Sequence, residues 1–148
     1  IGKAIVLREG MDGAILSLGR MVAPSLEAAS RMERERGLRV GVVNLRFAKP
    51  LDEDLIAELA RTVPLILTVE ENALAGGVGS AVAESVHRLG VTPQRLCCLG
   101  IPDRFIDHGT TSGLLHGLGL TSAGIASRFV EEWRALLATS EPVGASAR

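Results

Sequence analysis

Apolar positions along the chain change rhythm several times, and each change marks an element. Residues 4–9 and 13–18 are short apolar runs separated by Gly10-Met11-Asp12-Gly13, a turn-rich stretch that predicts two strands joined as an antiparallel hairpin. Val22, Leu26, Ala29 and Met32 then step by four, three and three along one helix face. Arg31, Glu33, Arg34, Glu35 and Arg36 supply its wet side, and Gly37 ends it as a C-cap glycine does. Residues 38–45 are Val-rich with little polar alternation, as in a strand covered on both faces. Asp52 is a good N-cap for a helix that turns Leu55, Ile56, Leu59 and Ala60 inward and stops at Val63-Pro64.

Residues 65–69 form another buried strand, ending in Glu70-Glu71, and after a glycine turn a helix carries Val82, Val86 and Leu89 on one face. Residues 94–99 read as a further strand, 100–109 as irregular, and 110–116 as a short helix. Thr121 or Ser122 caps a last helix with Ile125, Phe129, Trp133, Leu136 and Leu137 on one side. The small and polar residues 139–148 predict a flexible tail, which leaves 1–138 as one domain. The alternation predicts the α/β class. The expected form is a three-layer α/β/α sandwich on a five-stranded, mostly parallel sheet with one antiparallel strand from the opening hairpin.

Composition narrows the partners. A chain of 148 residues builds one core without staples. A formal net charge of -1 and the absence of Tyr argue against nucleic acid, which needs a basic excess and stacking surfaces. No apolar run is of membrane length, so no membrane is expected as a partner. Cys97 and Cys98 are neighbours whose side chains leave a strand on opposite faces; with no disulfide framework or signal peptide, the expected setting is the cytoplasm. The start on Ile1-Gly2-Lys3, without an initiator Met, suggests a piece of a longer protein.

In an open α/β sheet the carboxyl ends of the strands form the binding and docking surface. Glu70-Glu71 lies at such an end, but adjacent strand residues face opposite ways and do not share one site, so a capping or surface-bonding role competes with acid/base work. Gly76, Gly77 and Gly79 open a helix, which could cradle phosphate. Yet the dinucleotide pattern would need Gly or Ala where Val82 stands, and no Walker lysine follows. The other reading is a tight turn that lets a second backbone approach. Asp107-His108 has no accompanying nucleophile, and His87 and His116 make no metal spacing. Ser17, Ser80 and Ser112 lack the nucleophile-elbow pattern. No residue is assigned to catalysis, to a cofactor or to a metal.

Several stretches resemble a known family. Phe47-Ala48-Lys49-Pro50-Leu51-Asp52, and Leu67-Thr68-Val69-Glu70-Glu71-Asn72 with Gly76-Gly77-Val78-Gly79-Ser80, resemble the C-terminal domain of transketolase-like thiamine diphosphate enzymes. Leu99-Gly100-Ile101-Pro102-Asp103-Arg104-Phe105-Ile106-Asp107-His108-Gly109 is similar to the segment of the deoxyxylulose phosphate synthase branch, as are Val6-Leu7-Arg8-Glu9-Gly10 and Leu16-Ser17-Leu18-Gly19. The resemblance runs from about Gly2 to Trp133. It implies a parent transferase that joins pyruvate to glyceraldehyde 3-phosphate with loss of carbon dioxide, feeding isoprenoid (terpenoid), thiamine and pyridoxal phosphate synthesis. In that family thiamine diphosphate and magnesium lie between two earlier domains, so this domain is expected to bind neither and to be inactive alone. The resemblance implies packing on those two upstream domains and support of a homodimer. We carry that role onto an interface of Glu70, Glu71, Asn72, Gly76, Gly77, Gly79 and Ser80. Two alternatives stay open: a regulatory module holding an anionic effector at Gly76 to Ser80, and the equivalent domain of a 2-oxo acid dehydrogenase E1 beta subunit or a transketolase.

Overall fold

The computed structural model describes residues 1–104, 106 and 109–140. Strands β1 (Ile5–Arg8), β2 (Gly13–Ser17), β3 (Val40–Asn44), β4 (Leu65–Ala73) and β5 (Arg95–Ile101) form one sheet in the order β1-β3-β2-β4-β5. Only β1 runs antiparallel, against β3; the other pairings are parallel. Helices α1 (Val22–Arg36) and α5 (Ser122–Ser140) cover one face, while α2 (Glu53–Thr62) and α3 (Val78–Arg88) cover the other. A short helix α4 (Thr111–Gly117) precedes α5. This is the expected three-layer sandwich on a mostly parallel sheet.

The opening hairpin is the part that the sequence reading got wrong. β1 and β2 do not pair with each other; β3 lies between them. The turn residues are used to clasp β3 instead of reversing the chain tightly. The Asp12 N–H donates to the Arg39 carbonyl at 3.0 Å, and the Arg39 N–H donates to Asp12 Oδ2 at 2.6 Å. Gly10 lies so close to Gly41 that a Cβ would overlap its backbone. A stretch rich in Gly and Asp suits either job, and the choice depends on β3, which comes later in the chain.

Local signals place the helices well. Gly37 takes the left-handed conformation at φ 68°, and its N–H donates to the Glu33 carbonyl at 2.9 Å, closing α1. The buried face of α1 is Ser25, Ala28, Ala29 and Met32, turned slightly from the expected stripe, so Val22 and Leu26 are half-buried. Thr121 caps α5, accepting from the Gly124 N–H at 3.1 Å. From α5, Phe129 is fully buried against Gly13, where any Cβ would strike its ring. Leu137, expected inside, is exposed. α5 continues through Thr139 and Ser140, and the rest of the expected tail lies outside the described residues.

Asp52 ties three segments together. Its carboxylate accepts the Leu55 N–H at 3.4 Å as the N-cap of α2, accepts the Ala4 N–H at 3.1 Å, and pairs with Lys3 at 3.1 Å. Burial pushes the carboxyl up, but the Ala4 N–H, the Lys3 ammonium and the Leu55 N–H together hold it below its ordinary value. A depressed folded-state value means the stabilisation is complete above the unfolded carboxyl value of about 3.9 and is lost as pH falls through the folded value. We therefore expect Asp52→Ala to lower the unfolding free energy by ~1–2 kcal/mol at pH 7. Urea unfolding should show the gap between wild type and variant closing as the pH is taken into the acid range.

Candidate functional site

Side chains along β4 alternate between the two helical layers. Leu65, Leu67 and Val69 join the cluster beneath α1 and α5, while Ile66 joins the cluster beneath α2 and α3 and Thr68 Oγ1 lies against Gly79 of α3. Glu70 is the next residue on that second face, and it arrives where α3 begins. It has no exposed surface. Its Oε2 accepts the Val78 N–H at 2.8 Å and its Oε1 the Gly79 N–H at 2.9 Å. These are orphan donors of the first helical turn, at the positive end of the helix dipole, so the carboxylate sits where an external anion would.

The glycines follow from that bond. Gly77 is the N-cap residue, and a Cβ there would run into both Glu70 oxygens and the Ala73 carbonyl. Gly79 lies against Thr68 and Cys98, and Gly76 takes φ 73°. Ser80 Oγ donates to the Leu74 carbonyl at 2.7 Å, and the Leu74 N–H donates to the Ile101 carbonyl at 2.8 Å, fastening the turn to β5. Glu71 points the other way and pairs with Arg20 at 3.5 Å. Arg20 belongs to a 3-10 turn, Gly19–Met21, after β2. The pair thus joins the turn after β2 to the end of β4, whose following helices leave toward opposite faces; with Arg20 largely exposed, it contributes little to stability.

All seven residues assigned to the interface therefore lie along one strand-to-helix junction, from the end of β4 through the glycine turn into the first residues of α3, in two layers. Asn72 and Gly76 are exposed; Glu71, Gly77 and Ser80 are half-buried. Glu70 and Gly79 are buried inside the chain, so neither offers a side chain to a partner; they hold the turn from beneath. A shallow hollow of ≈ 400 Å³ lies alongside, lined by Ala48, Lys49, Asn72, Gly76, Gly77 and Ala81 among others. The sequence reading missed Arg20, which no spacing ties to Glu71. It also left open Glu70's true partner, although a carboxylate just ahead of a glycine-opened helix was the available clue.

The other candidates are not part of this junction. Ser17 Oγ donates to Ser25 Oγ at 2.7 Å, which donates to the Met21 carbonyl, all buried. Cys97 and Cys98 are free and lie on opposite faces of β5. Burial, then the Glu132 carboxylate, pushes the Cys97 thiol up to about 11, so it is not a nucleophile at neutral pH. That carboxylate is held by Arg95 at 2.5 Å and Arg128 at 2.8 Å. His87 and His116 are exposed, and Asp107-His108 lies outside the described residues. Among the described residues no group of three or more His, Cys, Asp or Glu is placed to hold a metal. A diphosphate does not fit the α3 N-terminus, because Glu70 fills it.

Residues 2–125 match the family described as the transketolase C-terminal domain. The chain belongs to that family. Over 142 residues it is 47% identical to a 1-deoxy-D-xylulose-5-phosphate synthase of Synechococcus sp. (strain JA-2-3B'a(2-13)), covering 96% of this chain and 22% of that protein. Over 127 residues it is 49% identical to 1-deoxy-D-xylulose-5-phosphate synthase 1 of Geobacter sulfurreducens, covering 86% and 20%. It thus spans about a fifth of these relatives' length. A split-gene transketolase described as an inactive beta4 tetramer superposes with a TM-score of 0.79 at 36% identity, over 91% of this chain and 42% of that one. A Pichia stipitis transketolase shares the fold, with a TM-score of 0.67 at 22% identity over 93% of this chain and 19% of that one. The resemblance read from the sequence motifs is borne out for this transketolase C-terminal domain.

Removing the Glu70 carboxylate leaves two buried N–H groups without an acceptor. Glu70→Ala should therefore cost about 2–4 kcal/mol in chemical denaturation, with Glu70→Gln, which keeps one acceptor, falling between variant and wild type. A loss below about 0.5 kcal/mol for Glu70→Ala would contradict the assigned role.

Proposed function

We propose that this is the non-catalytic C-terminal domain of a 1-deoxy-D-xylulose 5-phosphate synthase, serving domain packing and dimer assembly in the parent transferase. The supporting observation is the identity of 45–49% to enzymes of that name over 86% or more of this chain. In this reading the parent condenses pyruvate with glyceraldehyde 3-phosphate, with decarboxylation, using thiamine diphosphate and magnesium. The two upstream domains of the same polypeptide hold that cofactor. This domain contributes the turn at Glu71, Asn72, Gly76, Gly77 and Ser80, and the small-residue hollow beside it suits close approach of another backbone. The setting is cytoplasmic; no described helix is long and apolar enough to cross a membrane.

The regulatory alternative needs a vacant helix N-terminus on α3. Glu70 occupies that position, which favours the assembly reading. The domain is predicted to give no saturable heat with thiamine diphosphate and magnesium by calorimetry, and no carboligation of pyruvate with glyceraldehyde 3-phosphate. Saturable binding or turnover by the pure domain would reject the reading. Deleting the domain from the full enzyme should reduce dimer assembly, and a fully active dimer without it would reject the assembly role.

A further inference from the structure

The loop after β3 carries a cation that the chain leaves without a partner. Its base is firm: the Leu45 N–H donates to the Ser17 carbonyl at 2.9 Å, and the Arg46 N–H donates to Asn44 Oδ1 at 3.0 Å. Arg46 takes the left-handed conformation at φ 60° and lays its guanidinium over the Phe47 ring, 5.3 Å from the centroid. The loop ends on Asp52, which caps α2. Between these fixed points Lys49 is exposed and, among the described residues, forms no ion pair. The carboxylates nearest in sequence are engaged elsewhere, Asp52 and Asp54 by Lys3 at 3.1 and 3.3 Å and Glu53 by Arg88. Lys49 lines the hollow of ≈ 400 Å³ beside the α3 turn. Among the described residues lining it, Lys49 alone is charged and six are Ala or Gly, so side chains fill little of it and main chain can reach its floor. Ala75 and Gly76 are exposed there, and among the described residues nothing accepts from their N–H groups.

We propose that this hollow receives a main-chain segment of the upstream polypeptide that carries an Asp or Glu, its carboxylate paired with Lys49 and its carbonyls facing Ala75 and Gly76. The charge of the hollow is positive, which selects a partner bearing an anion. Its Ala and Gly lining admits a backbone, and the Ala75 and Gly76 N–H groups, which lose water when covered, then need the acceptors that main-chain carbonyls supply. A second copy docked through this same face would bring Lys49 toward Lys49 and a concavity against a concavity, complementary in neither charge nor shape. The chain spans about a fifth of its relatives' length, so most of the polypeptide that could fill the hollow lies outside this domain. This contact presupposes the assembly role proposed above and gives it a partner chemistry at one lysine.

Carbodiimide coupling in the full-length enzyme tests it, because this domain holds two lysines, Lys3 and Lys49. The expected result is an amide cross-link from Lys49 to an Asp or Glu upstream of the domain, identified by mass spectrometry, while Lys3 couples to Asp52 or Asp54. Hydrogen exchange of the peptide spanning Ala75 and Gly76, in the same full-length enzyme, gives a second readout. Lys49→Glu should raise that exchange by about tenfold or more, and Lys49→Arg, which keeps the charge, should leave it near wild type. Lys49 is exposed and unpaired among the described residues, so a role confined to the domain's own fold would not produce that difference. Coupling of Lys49 to a carboxylate of this domain, in either subunit, would overturn the proposal, as would unchanged exchange in Lys49→Glu. Both of those outcomes leave the assembly reading standing; that reading fails separately, if the enzyme without the domain is a fully active dimer.

Discussion

The bond from the Glu70 carboxylate to the Val78 and Gly79 N–H groups is the constraint on which the strand-end surface depends. A carboxylate buried without partners would be prohibitive, and two main-chain donors at the positive end of a helix offset that desolvation with charge-assisted bonds. The bond links the end of β4 to the start of α3 and leaves too little room at Gly77 for a side chain. From it follow the left-handed Gly76, the fastening of Ser80 to Leu74, and the outward turn of Glu71 and Asn72.

That constraint also shapes what the domain can do. Open α/β sheets usually keep a helix N-terminus free at the point where neighbouring loops part, and anionic ligands bind there. Here the loops after β2 and β4 part at that point, but the chain's own carboxylate sits in the position and Arg20 is paired with Glu71 beside it. What remains outward is relief: a small-residue hollow beside a firm turn, with Lys49 at its rim. Such a surface is suited to docking, in keeping with a domain that spans about a fifth of its relatives' length.

Much of this architecture was legible because its causes are local. Gly37 ending α1, Asp52 capping α2 and Thr121 capping α5 each act within four residues of the element they bound. The partner of β1 was not legible, because Gly10-Met11-Asp12 clasps Arg39 and Gly41, nearly thirty residues later, and no spacing rule reaches that far. Glu70 was an intermediate case. Alternation correctly set Glu70 and Glu71 on opposite faces, but it could not say that the inner one would meet donors from eight and nine residues on. Leu137 is exposed because it lies at the margin of the α5 stripe: Leu136, one residue earlier, is buried in the core, and a step of about 100° turns Leu137 outward.

The central claim is that the α3 N-terminus is sealed from within by the Glu70 carboxylate. Amide hydrogen exchange at Val78 and Gly79, followed by NMR with and without excess inorganic pyrophosphate, tests this most directly. The account predicts that both amides exchange as slowly as the buried amides of β4 and that pyrophosphate changes neither their rates nor their shifts. Fast exchange at these two positions, or a saturable shift on adding pyrophosphate, would contradict it.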